Sequence, residues 1–140
     1  MKRVFLMMTL GLAGCGSDST DGPSPLPVAG AWRFSQFVQG GGAQCGEGGT
    51  LTLTQSGNRL AGSLSARGAC ETPSIAVDFV RNGDVTGGLI GGTHVAFTIG
   101  VCRYDGTVVG DPPTQAGGTA TCNGLPGTSG DLVGTWEIAQ

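Results

Sequence analysis

The sequence predicts an all-β fold, a small antiparallel up-and-down (meander) β-barrel of about eight strands following a signal peptide and a flexible linker. Three observations predict it. From Val28 onward apolar residues recur with a period of two, the spacing of a strand with one buried face. Glycine supplies 28 of 140 residues while charged residues make up only 12%. That balance suits strands and turns over helices, where an interior glycine costs about 1 kcal/mol. The apolar runs are also short and separated by turn dipeptides.

The first element is not part of that fold. Met1-Lys2-Arg3 is basic, Val4 to Leu12 is apolar, and the run ends on Leu12-Ala13-Gly14-Cys15. The apolar run is about half of the roughly 20 residues that a bilayer crossing needs, which argues against a spanning helix. Basic start, brief apolar stretch and small residues before a cysteine resemble a bacterial lipobox. The resemblance implies that residues 1–14 are a signal peptide removed on export, and that Cys15 becomes the lipidated first residue, tethering the chain to a membrane. Stable tethering takes more than one acyl chain, since burial contributes about 0.8 kcal/mol per methylene and a single chain binds reversibly. Gly16 stands where the inner-membrane lipoproteins of that family typically carry aspartate. The resemblance therefore implies the outer membrane within the cell envelope.

Residues 15–27 make the linker. Gly16 to Pro27 has almost nothing to bury and contains three prolines that cannot join a strand ladder, so it reads as an extended spacer. Without Lys2 and Arg3 the mature chain keeps five arginines against ten carboxylates, a net charge of −5. A basic surface for nucleic acid or anionic headgroups is thereby excluded.

The domain occupies residues 28–140. Val28 to Val38 is the first strand, with Trp32 and Phe34 alternating against Ala31, Arg33 and Ser35. Gly49 to Gln55 follows, Leu51 and Leu53 alternating with Thr50, Thr52 and Thr54, and Ser56-Gly57-Asn58 turns it into Arg59 to Ala66. Asn82-Gly83 reads as a turn before Val85 to Ile90. Gly91-Gly92 reads as a turn before His94 to Ile99, where Val95, Phe97 and Ile99 share one face. Tyr104 to Val109, Gln115 to Cys122 and Val133 to Ala139 complete the eight. Ser74 to Arg81 has the same alternation in Ile75, Val77 and Phe79, and stands either as a ninth strand or as a flap across one mouth. Strands with one apolar face must close on themselves or pair two sheets, and closure removes the edges. Long loops are expected at Gln39 to Gly48, Asp111 to Gln115 and Asn123 to Asp131.

Gly30-Ala31-Trp32 in the first strand and Gly134-Thr135-Trp136 in the last resemble the Gly-x-Trp signature of calycin barrels, the group of lipocalins, fatty-acid-binding proteins and avidins. Leu132 to Trp136 is similar to an avidin strand. The likeness covers these triplets and the strand rhythm, and no ligand residue of that group can be placed on this chain. Physically, the glycine lets a strand bend tightly and the indole plugs a barrel end.

Cys45, Cys70, Cys102 and Cys122 remain after Cys15, an even number in an exported domain, where disulfides form. Among the three possible pairings, spacing favours Cys45 with Cys70 and Cys102 with Cys122, each bracketing a hairpin. Each bond closes a loop worth about 3 kcal/mol in the chain-entropy model. Eight strands would put all four cysteines at one mouth, whereas a ninth would split them.

No catalytic residue, metal site or cofactor motif is expected. His94, the sole histidine, falls on a polar face, and no nucleophile elbow, His-Glu-x-x-His or phosphate loop occurs. Glu47, Glu71, Glu137, Asp78, Asp84, Asp105, Asp111 and Asp131 are scattered, with solubility and turn capping as their expected roles, although Asp84 and Asp105 could converge. Two functions compete: a non-enzymatic structural or interaction module presenting its loops, and a carrier binding a small apolar ligand lined by Trp32, Phe34, Phe97 and Trp136. Trp32, Phe34, Leu51, Leu53, Leu60, Leu64, Val95, Phe97, Ile99, Trp136 and Ile138 together supply enough bulk to fill the interior, while Gly62 and Gly87 on the same face would open a pocket unless they serve as kinks. A pore-forming membrane barrel is disfavoured because strands of about six residues fall short of the roughly 9 to 11 a spanning strand needs.

Overall fold

Alternation of apolar and polar side chains dictates the architecture, and the computed structural model, which describes residues 25–140, realises it as one closed antiparallel barrel. The strands are β1 Gly30–Gly40, β2 Ala43–Ser56, β3 Arg59–Glu71, β4 Ala76–Ile90, β5 His94–Ile99, β6 Cys102–Gly110, β7 Pro113–Asn123 and β8 Asp131–Ala139. Each pairs with the next, and β8 pairs back onto β1, with Phe34 opposite Ile138 and Val38 opposite Gly134. The β1–β2, β3–β4, β5–β6 and β7–β8 connections share one end, called upper here. The chain enters at the other.

That entry is packed. Leu26 packs against the core, its carbonyl accepts from Gln55 Nε2 at 2.9 Å, and the Val28 amide donates to Gln55 Oε1 at 2.8 Å. The expected signal peptide, Cys15 and the expected linker up to residue 24 lie outside the described residues.

All eleven side chains expected inside are buried. The outer wall carries Thr50, Thr52, Thr54, Ser63 and Ser65 together with Arg33, Arg59, Arg67 and Arg103, all of them exposed. A membrane-spanning barrel has the opposite arrangement, apolar outward.

Four expectations need correction. Asn82-Gly83 is not a turn: it pairs with Ser65 and Leu64 inside β4, so Ser74 to Arg81 is neither a ninth strand nor a flap, and from Ala76 it is the upper half of the same strand as Val85 to Ile90. Gly83 is there because it sits beneath Ile99, whose Cγ2 would lie 2.8 Å from a Cβ. Gln39 to Gly48 is not a long loop either, since the chain turns tightly at Gly41-Gly42 and re-enters β2 at Ala43. Two glycines here mark strand contact: a Cβ at Gly40 would come within 2.5 Å of the Asp131 carbonyl, and one at the inward-facing Gly49 within 2.6 Å of Ala66 Cα. The Asp111 to Gln115 loop likewise shrinks to a short turn, with Gly110 paired to Pro113. Finally, β2, β3 and β4 run 14, 13 and 15 residues, so strand length does not disfavour a membrane barrel. The polar outer wall does.

The disulfides join Cys45 to Cys70 and Cys102 to Cys122, each between directly opposed residues of a hairpin. All four cysteines lie near the upper end, as eight strands require.

Candidate functional site

The interior has an apolar lower part and a polar upper part. In the lower part Trp32, Phe97 and Trp136 converge with Val28, Leu53, Leu60, Val95, Val108, Ala116 and Ile138 around a cavity of only about 10 Å³. That is the threshold for a single water molecule. Phe34 does not line it, and instead packs edge-on to Tyr104 with ring centroids 5.8 Å apart. Phe97 stacks on Tyr104 at 4.9 Å and meets Trp136 edge-on at 5.1 Å. Both indoles satisfy their N–H groups, Trp32 donating to the Val28 carbonyl at 2.9 Å and Trp136 to that of Asp105 at 3.1 Å. Gly62 and Gly87 open nothing. A Cβ at Gly62, whose φ is +140°, would run into the Thr52 carbonyl, and one at Gly87 would lie 2.6 Å from Phe97 Cβ. These glycines let strands approach.

Above the aromatics the same inward positions turn polar. Glu47 Oε1 accepts from Arg81 Nε at 2.8 Å, and Glu47 Oε2 accepts from Gln36 Nε2 at 3.0 Å. Tyr104 donates its hydroxyl to Gln36 Oε1 at 2.8 Å and accepts from an Arg81 guanidinium nitrogen at 2.6 Å, which closes a ring of four side chains. The third Arg81 nitrogen, Nη1, donates to the Ile99 carbonyl at 3.2 Å. The Gln36 amide also faces the Cys102–Cys122 sulfurs, 3.6 Å from the nearer.

Electrostatics follow from burial. Desolvation pushes the Tyr104 hydroxyl up to about 12, against the pull of Arg81 in the other direction. Burial alone would lower the Arg81 pKa, but Tyr104 and Glu47 outweigh it and raise it, so the guanidinium stays charged. Among the described residues no buried side-chain nitrogen or oxygen lacks a hydrogen-bond partner. A buried ion pair held this way is costly to break.

Glu47 therefore is not the solubilising, turn-capping carboxylate the sequence suggested. It lies mid-strand and inside, 7% exposed. Gln36, Arg81 and Tyr104 carried no functional expectation at all. Their signal was parity, since Gln36 falls on the face of Trp32, Phe34 and Val38, and Arg81 on that of Val77 and Phe79.

The remaining candidates lie outside the barrel. His94 is on the outer wall, its Nε2 3.3 Å from Asp105 Oδ2, with both side chains substantially exposed. Asp84 pairs with Ser63 and Asp105 with Ala96 and Thr119, at different levels of the wall. The two do not form a pair. The four described cysteines are bonded to one another, and no group of three metal-binding side chains occurs among the described residues.

The molecule is thus a filled, disulfide-stapled, closed barrel of eight antiparallel strands, a form compatible with a calycin-like fold. No protein-family model, curated protein or solved structure matches the chain.

Proposed function

We propose that the chain is a lipoprotein of the bacterial cell envelope, anchored through acylated Cys15, whose barrel is a non-enzymatic structural or interaction module. The filled interior carries this reading. A carrier of the kind the sequence also suggested needs room beside Trp32 and Trp136, and the space there is about 10 Å³. Ligand pockets for small molecules commonly measure about 300–1,000 Å³. The upper interior is closed by the Gln36–Glu47–Arg81–Tyr104 ring, whose groups are all engaged.

The anchor rests on Leu12-Ala13-Gly14-Cys15, and Gly16 favours the outer membrane. The domain's geometry is consistent with a tether, because the chain enters at the lower end and leaves the disulfide-bonded mouth facing away from it. Mass spectrometry of the protein isolated from envelope membranes tests both halves. The expected result is a mature chain beginning at diacylated or triacylated Cys15, with no small molecule retained under native conditions. A chain that keeps residues 1–14 overturns the anchor, and a stoichiometric apolar ligand overturns the module in favour of the carrier.

A further inference from the structure

The chain reaches the barrel through a segment that belongs to no ladder. Residues 25–29 precede β1, and among the described residues no backbone hydrogen bond joins them to the barrel. Pro25 and Pro27 have no amide to give to one. The segment is nonetheless held in place. Val28 is 2% exposed and lines the lower cavity beside Trp32, Leu60 and Val95, so its side chain stops the lower mouth. Three hydrogen bonds keep it there, and each has a barrel side chain as the partner: Gln55 on the Leu26 carbonyl and the Val28 amide, and the Trp32 indole on the Val28 carbonyl.

Two residues supply the corner and the clamp. Gly30 has a φ of +132°, which L side chains rarely adopt, while a Cβ there would meet nothing within 4 Å. Glycine is needed at this position for the bend, not for space. Gln55 continues the inward series of Leu51 and Leu53 at the rim of β2, and its Nε2 also donates to the Gly57 carbonyl at 3.0 Å, which keeps the amide turned toward the segment. Past the corner the hold changes at once, because β1 pairs with β2 from Gly30 and with β8 from Arg33. A segment fixed by side chains alone opens at far lower cost than a strand laddered on both sides.

We infer that residues 25–29 form a hinged strap, which unlatches from the lower mouth as one unit about Gly30 while all eight strands stay paired. Its role rests on the anchor proposed at Cys15, since the strap then lies in series between lipid and barrel and takes any pull on the tether first. Latched, it stops the mouth with Val28 and keeps the tether short. Released, its five residues add up to about 17 Å of reach, at about 3.3–3.6 Å per residue, and the mouth beside Trp32 is uncovered. The barrel itself is unchanged by the switch, because the ladders begin only at the corner.

Native-state hydrogen exchange on the full chain tests it, read at the Val28 amide, the Trp32 indole N–H and the Leu51 amide in low concentrations of denaturant. Leu51 sits in β2 with a strand on either side, and so reports opening of the barrel. The Val28 and Trp32 protons lie on opposite partners of the strap contact, and are expected to share one opening constant. That constant should exceed the one at Leu51 by about tenfold or more and stay flat against denaturant, since releasing the strap exposes little surface. Gln55→Ala removes the clamp and should raise the shared constant several-fold with an unchanged far-UV spectrum. Val28 and Trp32 protons that follow the denaturant slope of Leu51, that open independently of each other, or that are not accelerated by Gln55→Ala would each overturn the inference. Exchange reads the strap whether or not Cys15 is acylated, so failure of the strap shows in exchange and failure of the anchor in the mass of the mature N-terminus.

Discussion

At the scale of single residues, the chemistry of this protein is concentrated in four side chains that sit where an apolar residue would be expected. Gln36, Glu47, Arg81 and Tyr104 occupy inward positions of β1, β2, β4 and β6 and neutralise one another's cost of burial through four mutual hydrogen bonds. Tyr104 is the only tyrosine in the chain, so its ionisation can be followed without ambiguity. Its folded pKa is raised from the ordinary 10 to about 12, chiefly by desolvation. A raised folded pKa means that the fold favours the neutral hydroxyl. The associated stability is fully present below pH 10 and is lost as pH rises through 12. Tyrosinate absorbance should show a midpoint near pH 12 in the native protein and near 10 in denaturant. Over the same window the unfolding free energy should fall by up to about 1.4 kcal/mol per pH unit. A native midpoint at 10 would mean that the hydroxyl is not sealed within the ring.

At the scale of elements, the strands were legible in the sequence wherever alternation was uninterrupted, as in Trp32–Phe34, Leu51–Leu53 and Val95–Phe97–Ile99. The cysteine pairing was legible too, because opposed positions of a hairpin follow from its register. What misled was glycine. Asn82-Gly83 has the composition of a hairpin turn, but Gly83 is an inward strand position beneath Ile99, and the Gly46 to Gly49 cluster belongs to β2. Local composition cannot distinguish a glycine that turns the chain from one that admits a neighbouring strand, since the distinction lies in a residue remote in sequence. The polar ring was hidden for the same reason, as Glu47 and Arg81 are strand neighbours only across β3. The Cys45–Cys70 bond staples the β2–β3 hairpin at its upper end with a sequence separation of 25. Replacing both cysteines by alanine should lower the unfolding free energy by about 3 kcal/mol, as the chain-entropy model gives for a loop of this size. The strand content should stay intact, because the Gln44 to Ser56 ladder with β3 does not depend on the bond. Denaturant titration with a parallel far-UV spectrum checks both parts. A loss of fold would show that the bond organises the hairpin instead of only restraining the unfolded chain.

At the scale of the whole molecule, a hydroxyl-rich wall around an apolar filling decides between a barrel that holds something and one that is merely solid. Trp32, 2% exposed, is one of two indoles at the lower end of that filling, and its N–H is fixed by the Val28 carbonyl. Trp32→Ala should cost about 3–5 kcal/mol, the usual result of truncating a buried aromatic residue in a core that relaxes only partly. The void it leaves, bordered by Leu53, Leu60, Phe97 and Ile138, should stay dry and accept a small apolar molecule such as benzene or xenon. The unsubstituted chain should bind neither. Calorimetric titration of both proteins with the same apolar probe separates the cases, since a solid barrel acquires binding only on truncation. Saturable binding by the unsubstituted chain, weakened by Trp32→Ala, would instead make the interior a site, and the module reading would fail with it.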